Sequence, residues 1–331
     1  MTTSEQTPVA DPAPPASTPP DRQGAIKAKK RLGDRMFSGT ALGAGWIILV
    51  VLAAVAVFLI VQSIPAFKPD TSGNHILNGQ SFWSYVGPLI FGTVWSSFLA
   101  LIVATPIAIG IALFISHYAP RGLAAVLGYV IDLLAAVPSV VFGLWGGLVF
   151  APMLQPGFVW LNDNLGWIPL FGGVVSPTGR TILTAALVLA VMILPVMTAI
   201  CREVFLQAPR LHEEAALALG ATRWEMIRMA VLPFARGGMV SGAMLGLGRA
   251  LGETMAVTMV LSVSGVVTFE LLTSVNPTPI PANIALAFPE AHGEGVNALI
   301  ATGLVLFVVT FAVNALARWI VNRRAEFSGA N

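Results

Sequence analysis

Long uncharged apolar runs alternate with short polar segments along most of the chain. No Asp, Glu, Lys or Arg occurs from Met36 to Phe67, and Ala41–Ile64 satisfies the need for about 20 apolar residues to cross a bilayer as one helix. The same test selects Pro88–Ser116, Leu123–Phe150, Thr181–Cys201, Gly237–Ser264 and Ala298–Val321. The expectation is an all-α integral membrane protein with six transmembrane helices. Asp132 interrupts the third run, and Arg249 and Glu253 interrupt the fifth. Pro106, Pro138 and Pro195 fall inside runs and predict bends, because proline lacks the backbone donor of a helical turn.

Composition agrees with this pattern. Of the 331 residues 56% are hydrophobic and only 10% charged, whereas soluble domains carry about 25% charged residues. Cys201 is the single cysteine, so no intrachain disulfide forms. The first 20 residues hold six prolines and lead into a basic stretch of Lys27, Lys29, Lys30, Arg31 and Arg35. Residues 1–35 therefore read as a disordered Pro-rich, then basic tail, and residues 36–331 as the six-span domain.

Lys and Arg are distributed unevenly between the two sides. The tail, the turn after span two (Arg121), the segment after span four (Arg202, Arg210, Arg223, Arg228, Arg236) and the C-terminus (Arg318, Arg323, Arg324) share one side. The other side has only Lys68 and Arg180. Both termini are thus expected in the cytoplasm. The basic residues report orientation, so nucleic acid is not an expected partner. The opposite segments, 65–87, 151–180 and 265–297, are rich in Gly, Pro, Trp and Asn and read as loops, the last with the run Asn276-Pro277-Thr278-Pro279-Ile280-Pro281.

The one long polar segment on the basic side, residues 202–236, reads as two short helices. Glu213 and Glu214 suit the positive end of the first helix, along which Leu211, Ala215 and Leu219 make a narrow stripe. Gly220 is placed to stop it, Thr222 and Glu225 have capping-box spacing to open the second, and Pro233 is placed to end that one. Glu214-Ala215-Ala216, then Gly220, then Leu232-Pro233 resembles the EAA loop of ABC-transporter permeases, with Ala230 where that family usually has Ile. The resemblance implies the type I ABC importer fold. It also makes residues of about 203–233 a coupling loop, in which Glu214, Ala215, Ala216, Gly220, Leu232 and Pro233 serve docking to a cytoplasmic ATPase.

The chain has no G-x-x-x-x-G-K-[ST] phosphate loop, since its only lysines are Lys27, Lys29, Lys30 and Lys68. His212-Glu213 begins like a zinc-protease helix, but Ala216 stands where the second histidine belongs. His75, His117, His212 and His292 show no metal-ligand spacing. No catalytic residue and no metal site is expected.

Chemistry is expected in span five instead, where each charge near the bilayer centre costs about 2.5–3.5 kcal/mol on insertion scales. Gly238, Gly242, Gly246, Arg249 and Glu253 recur at spacings of three and four, placing the charges on a small-residue face turned into the bundle. Arg249 suits recognition of an oxyanion, with Glu253 expected to hold its guanidinium in place; the alternative is a structural i,i+4 ion pair that stitches two helices. The run Gly248-Arg249-Ala250-Leu251-Gly252-Glu253-Thr254-Met255 resembles phosphate-specific permeases of the PstC and PstA type, nearer PstC.

That resemblance implies one half of an importer for inorganic phosphate in a bacterial cytoplasmic membrane, with Arg249, Glu253 and Thr254 on the pathway. It also implies a PstA-type second permease, a PstB-type ATPase dimer that binds the ATP and magnesium, and an external PstS-type phosphate-binding protein. This chain would carry no cofactor of its own. The competing readings are a permease for molybdate or sulfate and a gradient-driven carrier, the latter leaving the EAA loop unexplained.

Overall fold

A computed structural model describes residues 32–68 and 74–326, so the expected tail lies outside the described residues up to position 31. The described residues divide into one unit ending at Val55 and another beginning at Ala56. The first unit consists of most of α1 (Leu32–Ser63), whose Trp46, Ile47 and Leu52 are exposed as on a helix turned to lipid.

The second unit contains α2 (Phe82–Leu113), α3 (Arg121–Ala135), α4 (Ser139–Trp145), α5 (Ala151–Leu165), α6 (Ile182–Leu206), α7 (Arg210–Ala218), α8 (Arg223–Met226), α9 (Leu232–Leu251), α10 (Met255–Val260), α11 (Ile280–Ala287) and α12 (Glu294–Glu326). A minimal parallel pair, β1 (Val263–Ser264) and β2 (Asn276–Pro277), lies between α10 and α11. Single π turns at Phe114–Tyr118, Gly146–Phe150 and Ile227–Val231 extend α2, join α4 to α5 and join α8 to α9.

Six helices among the described residues are long and apolar enough to cross a membrane: Met36–Phe67, Phe82–Tyr118, Ser139–Leu165, Ile182–Leu206, Arg223–Leu251 and Glu294–Trp319. Their number and order match the sequence reading, but two boundaries need correction. The expected third span, Leu123–Phe150, breaks at Pro138. Proline disfavours helical geometry in the residue before it, so α3 stops after 15 residues and the crossing helix runs from Ser139 to Leu165. Residues 151–165, expected in a loop, are therefore helical. The fifth span begins and ends earlier than expected. Pro233 does not end the second loop helix but lies in the first turn of α9, where its missing donor is tolerated, and α9 stops at Leu251.

Helix α6 is the axis. In its most apolar stretch 67% of residues are buried, against 22–33% for the other spans of this unit. Ala100, Ala104, Ala108 and Ala112 of α2 recur every fourth residue, are fully buried, and cluster with Ile182, Leu189, Ile193, Met197 and Phe205 of α6. Methyl-sized side chains let two helix backbones approach closely, the main source of attraction between helices in lipid.

The run Asn276 to Pro281, read as a loop, is buried throughout. It inserts beside α2, where Gly92 leaves room for the backbone of Pro277 and Thr278, and the Ile280 amide donates to Thr93 Oγ1 at 2.9 Å. Five of its backbone or side-chain polar groups are met by Thr93, Ser264 and the start of α6, which is the condition for placing irregular chain among helices. A Cβ on Gly92 would stand 2.6 Å from the Thr278 carbonyl oxygen. Gly92→Ala is therefore expected to cost about 1–3 kcal/mol by overpacking. Its thermal unfolding midpoint in detergent should fall clearly below that of Gly110→Ala, a position with nothing within 4 Å.

Candidate functional site

Helix α9 packs antiparallel on α6 through its glycines. A Cβ on Gly238 would overlap Val204, Gly242 lies against Ile200 and Cys201, and Gly246 lies against Met197 and Ile193. Continuing this register by one turn sets Arg249 near the level of Ile193, about 18 Å from either end of the 25-residue α6 at a rise of 1.5 Å per residue. Arg249 is half-buried at mid-depth.

Immediately beyond it the helix breaks. Helix α9 ends at Leu251, residues 252–254 lie outside regular helix, and α10 starts anew at Met255. The break exposes unpaired amides, and Glu253 supplies an acceptor: its Oε1 accepts from the Ala256 N–H at 3.0 Å. Glu253, only 9% exposed, thus caps the first turn of α10 with its side chain from the position before the N-cap residue Thr254. No ion pair within 4.0 Å joins it to Arg249 among the described residues. The contact expected between Glu253 and the guanidinium is not formed in this structure: a spacing of four brings two side chains together on a continuous helix, and α9 ends between these residues. Thr254 is half-buried in the break, and its carbonyl accepts from Thr258 Oγ1 at 2.7 Å.

Helix α10 is held from the other side by α4 and the π turn that follows. Cβ atoms on Gly143 and Gly147 would stand 2.8 Å from Ala256 Cα and 2.6 Å from the Met259 carbonyl oxygen, and one on Gly146 would meet Val188 and Val260. Hydropathy alone starts the third span at Leu123 and puts Gly143, Gly146 and Gly147 near its end, which hides this glycine face. Spacings of three and four among glycines in an apolar run were the available signal.

At the far end of α6, α7 ends in a Schellman turn. The Ala221 amide donates to the Ala216 carbonyl and the Gly220 amide to the Leu217 carbonyl, with Gly220 at φ +88°. Thr222 and Glu225 form the complete capping box that opens α8. Leu211, Ala215 and Leu219 all lie exposed, with Leu219 at 90%. Glu214 and Pro233 are exposed, whereas Ala216 and Leu232 pack onto the cluster of Phe205, Ile227, Val231 and Ala235. The segment thus presents an apolar outer face on a fixed base. A further link was missed: His117 Nε2, at the end of the span formed by α2, stands 3.6 Å from Glu213 Oε1 of α7. Only the fold brings these two together.

Residues 104–326 match the family described as binding-protein-dependent transport system inner membrane component. The chain is 47% identical over 307 residues to phosphate transport system permease protein PstC 2 of Mycobacterium tuberculosis, covering 89% of this chain and 94% of that protein. It is 44% identical to PstC of Mycobacterium leprae (88% and 94% covered) and 40% identical to PstC of Mesorhizobium japonicum (90% and 93% covered). Among solved structures, a chain of a bacterial alginate ABC transporter in complex with an alginate-bound periplasmic protein superposes with a TM-score of 0.59 at 17% identity, covering 88% of this chain and 95% of that one. That likeness concerns the fold. Together with the arrangement around α6, these matches place the chain in the family of binding-protein-dependent transport system inner membrane components.

Proposed function

We propose that this chain is a permease subunit of an ATP-driven importer of inorganic phosphate and forms half of its translocation pathway. The observation that carries the reading is a half-buried Arg249 at mid-depth with no carboxylate partner among the described residues, in a chain 40–47% identical to proteins named PstC. A guanidinium in low dielectric attracts an oxyanion strongly and matches its geometry with paired donors. Glu253 Oε1 is engaged with α10, and no ion pair within 4.0 Å joins Glu253 to Arg249 among the described residues, which supports an arginine available to a passing anion.

ATP hydrolysis belongs to a partner in this reading, because the chain has no phosphate loop of its own. The exposed face of Leu211, Ala215 and Leu219 fits docking to a separate ATPase, of the PstB type. A PstA-type permease would complete the pathway, and a PstS-type binding protein would deliver phosphate from outside. The Lys and Arg bias supports a cytoplasmic position for α7 and α8, and with six spans for both termini, in a bacterial cytoplasmic membrane. The direct test is ATP-dependent phosphate uptake by the reconstituted complex in competition with sulfate and molybdate. Preference for either competitor would replace phosphate as the substrate.

Two substitutions probe the separate parts. Gly220→Val forces a β-branched residue to φ +88° and disrupts the turn between α7 and α8. Binding-protein-stimulated ATP hydrolysis and co-purification of the ATPase should both fall, while membrane insertion is retained. At the break, Arg249→Gln should lower uptake at least about tenfold, a loss of roughly 1.4 kcal/mol or more in transition-state stabilisation, with the complex still assembling. Glu253→Gln keeps an acceptor for the Ala256 amide and should be mild, whereas Glu253→Ala removes the cap and should cost about 0.5–2 kcal/mol in thermal stability.

A further inference from the structure

Away from the basic side, the sequence places only Lys68 and Arg180. Lys68 is exposed and pairs with Glu294 at 3.3 Å. Arg180 is half-buried, and among the described residues its side chain has no carboxylate within 4.0 Å and no hydrogen-bond acceptor. A half-buried arginine at the outer end of a bundle, with no counter-ion, is suited to water or a transient anion. Arg180 is therefore in the same condition as Arg249, at the opposite end of α6 from α7.

Its backbone is held on both sides by close packing and hydrogen bonds. Gly179 adopts φ +69°, and a Cβ there would overlap the Ala151 carbonyl. The Gly179 carbonyl accepts from buried Thr184 Oγ1 at 2.6 Å. Fully buried Asn276 spans the next peptides, its Nδ2 donating to the Arg180 carbonyl at 3.5 Å and its Oδ1 accepting from the Ile182 amide at 2.9 Å. Fixing the main chain on both sides narrows the positions that the guanidinium can reach, as in a preorganised binding site.

The side chain reaches towards α10. Arg180 Nη2 stands 3.9 Å from where a Cβ of Gly147 would lie, on the glycine face that grips α10 and next to the Met259 carbonyl. Arg249 and Glu253 precede the first turn of the same helix, whose six residues span about 9 Å at 1.5 Å each. Arg249 thus lies six residues before the start of this short helix and Arg180 beside its last turn, neither with a carboxylate within 4.0 Å among the described residues.

We infer that Arg180 is a second anion-binding residue of the pathway, which takes up the phosphate oxyanion at the mouth of the bundle and hands it along α10 to Arg249. The inference rests on the phosphate-import reading. Two stations with one arginine each suit conduction, because binding strong enough for capture must still permit release to the next site. The competing account is an arginine whose aliphatic stem fills space and whose charge is incidental.

The complex reconstituted with its ATPase, second permease and binding protein separates the two. Arg180→Gln should lower ATP-dependent phosphate uptake at least tenfold while ATPase co-purification stays unchanged, and Arg180→Lys should recover part of it. The sole native cysteine, Cys201, is buried, so Arg180→Cys adds one accessible thiol. Modification with a cationic aminoethyl methanethiosulfonate should restore uptake, a neutral methyl reagent should not, and inorganic phosphate should slow the labelling. Because this arm is read within one assembled variant, it stands even if Arg180→Gln assembles poorly. Wild-type uptake in Arg180→Gln, or equal rescue by neutral and cationic reagents, would overturn the inference while leaving the import reading intact. A wild-type complex that takes up no phosphate would overturn that reading, and the inference with it.

Discussion

Helix α6 serves as the axis of the bundle because its two main neighbours, α2 and α9, each turn a stripe of alanine or glycine towards it. The alanines of α2 and the glycines of α9 bring three backbones together, and the register of those contacts sets the depth of everything attached to α9. Lipid gives apolar side chains little reason to prefer a neighbouring helix, so close backbone approach and polar contacts must supply the association. Arg249 reaches mid-depth as a consequence of where Gly246 meets Met197 and Ile193.

The break after α9 follows from the same economy of polar groups. Ending a helix in low dielectric leaves amides that have to be satisfied from within the protein. Glu253 does this for α10, and Thr258 Oγ1 bonds back to the Thr254 carbonyl. One oxygen of the carboxylate that sequence spacing assigned to Arg249 is thereby engaged, and no ion pair within 4.0 Å joins the two among the described residues, which leaves a half-buried cation without a fixed anion. An interior charge of this kind attracts a mobile anion, and in transporters a discontinuous helix at mid-depth is a recurrent setting for the substrate. The buried run from Asn276 to Pro281 braces the arrangement by tying α2, the start of α6 and α11 together.

Much of this was legible in the sequence, and what was missed has a shared cause. Hydropathy identified six spans because lipid imposes length and composition on each. The turn at Gly220 and the capping box at Thr222 were readable because both are local, set by residues within one turn of each other. Local logic failed where tertiary contacts decide. Hydropathy could not separate α3 from the crossing helix, although Pro138 marked the boundary. Proline and asparagine in the 276–281 run indicate an outer loop that packing alone can order, but nothing local names Thr93, the distant partner that holds it inside the bundle. The charges of span five were noticed, but their pairing was inferred from a helical period that stops at Leu251. His117 and Glu213 meet only after α2 and α7 are in place.

The central claim is that Glu253 caps α10 and leaves Arg249 free for the anion. A double-mutant cycle of Arg249→Gln and Glu253→Gln, read as thermal stability of the purified complex without phosphate, tests it most directly. With no pair to break, the two changes should add within about 0.3–0.5 kcal/mol, as independent sites do. A coupling energy above about 1 kcal/mol, with the double variant more stable than the single ones, would show a buried ion pair and contradict the account.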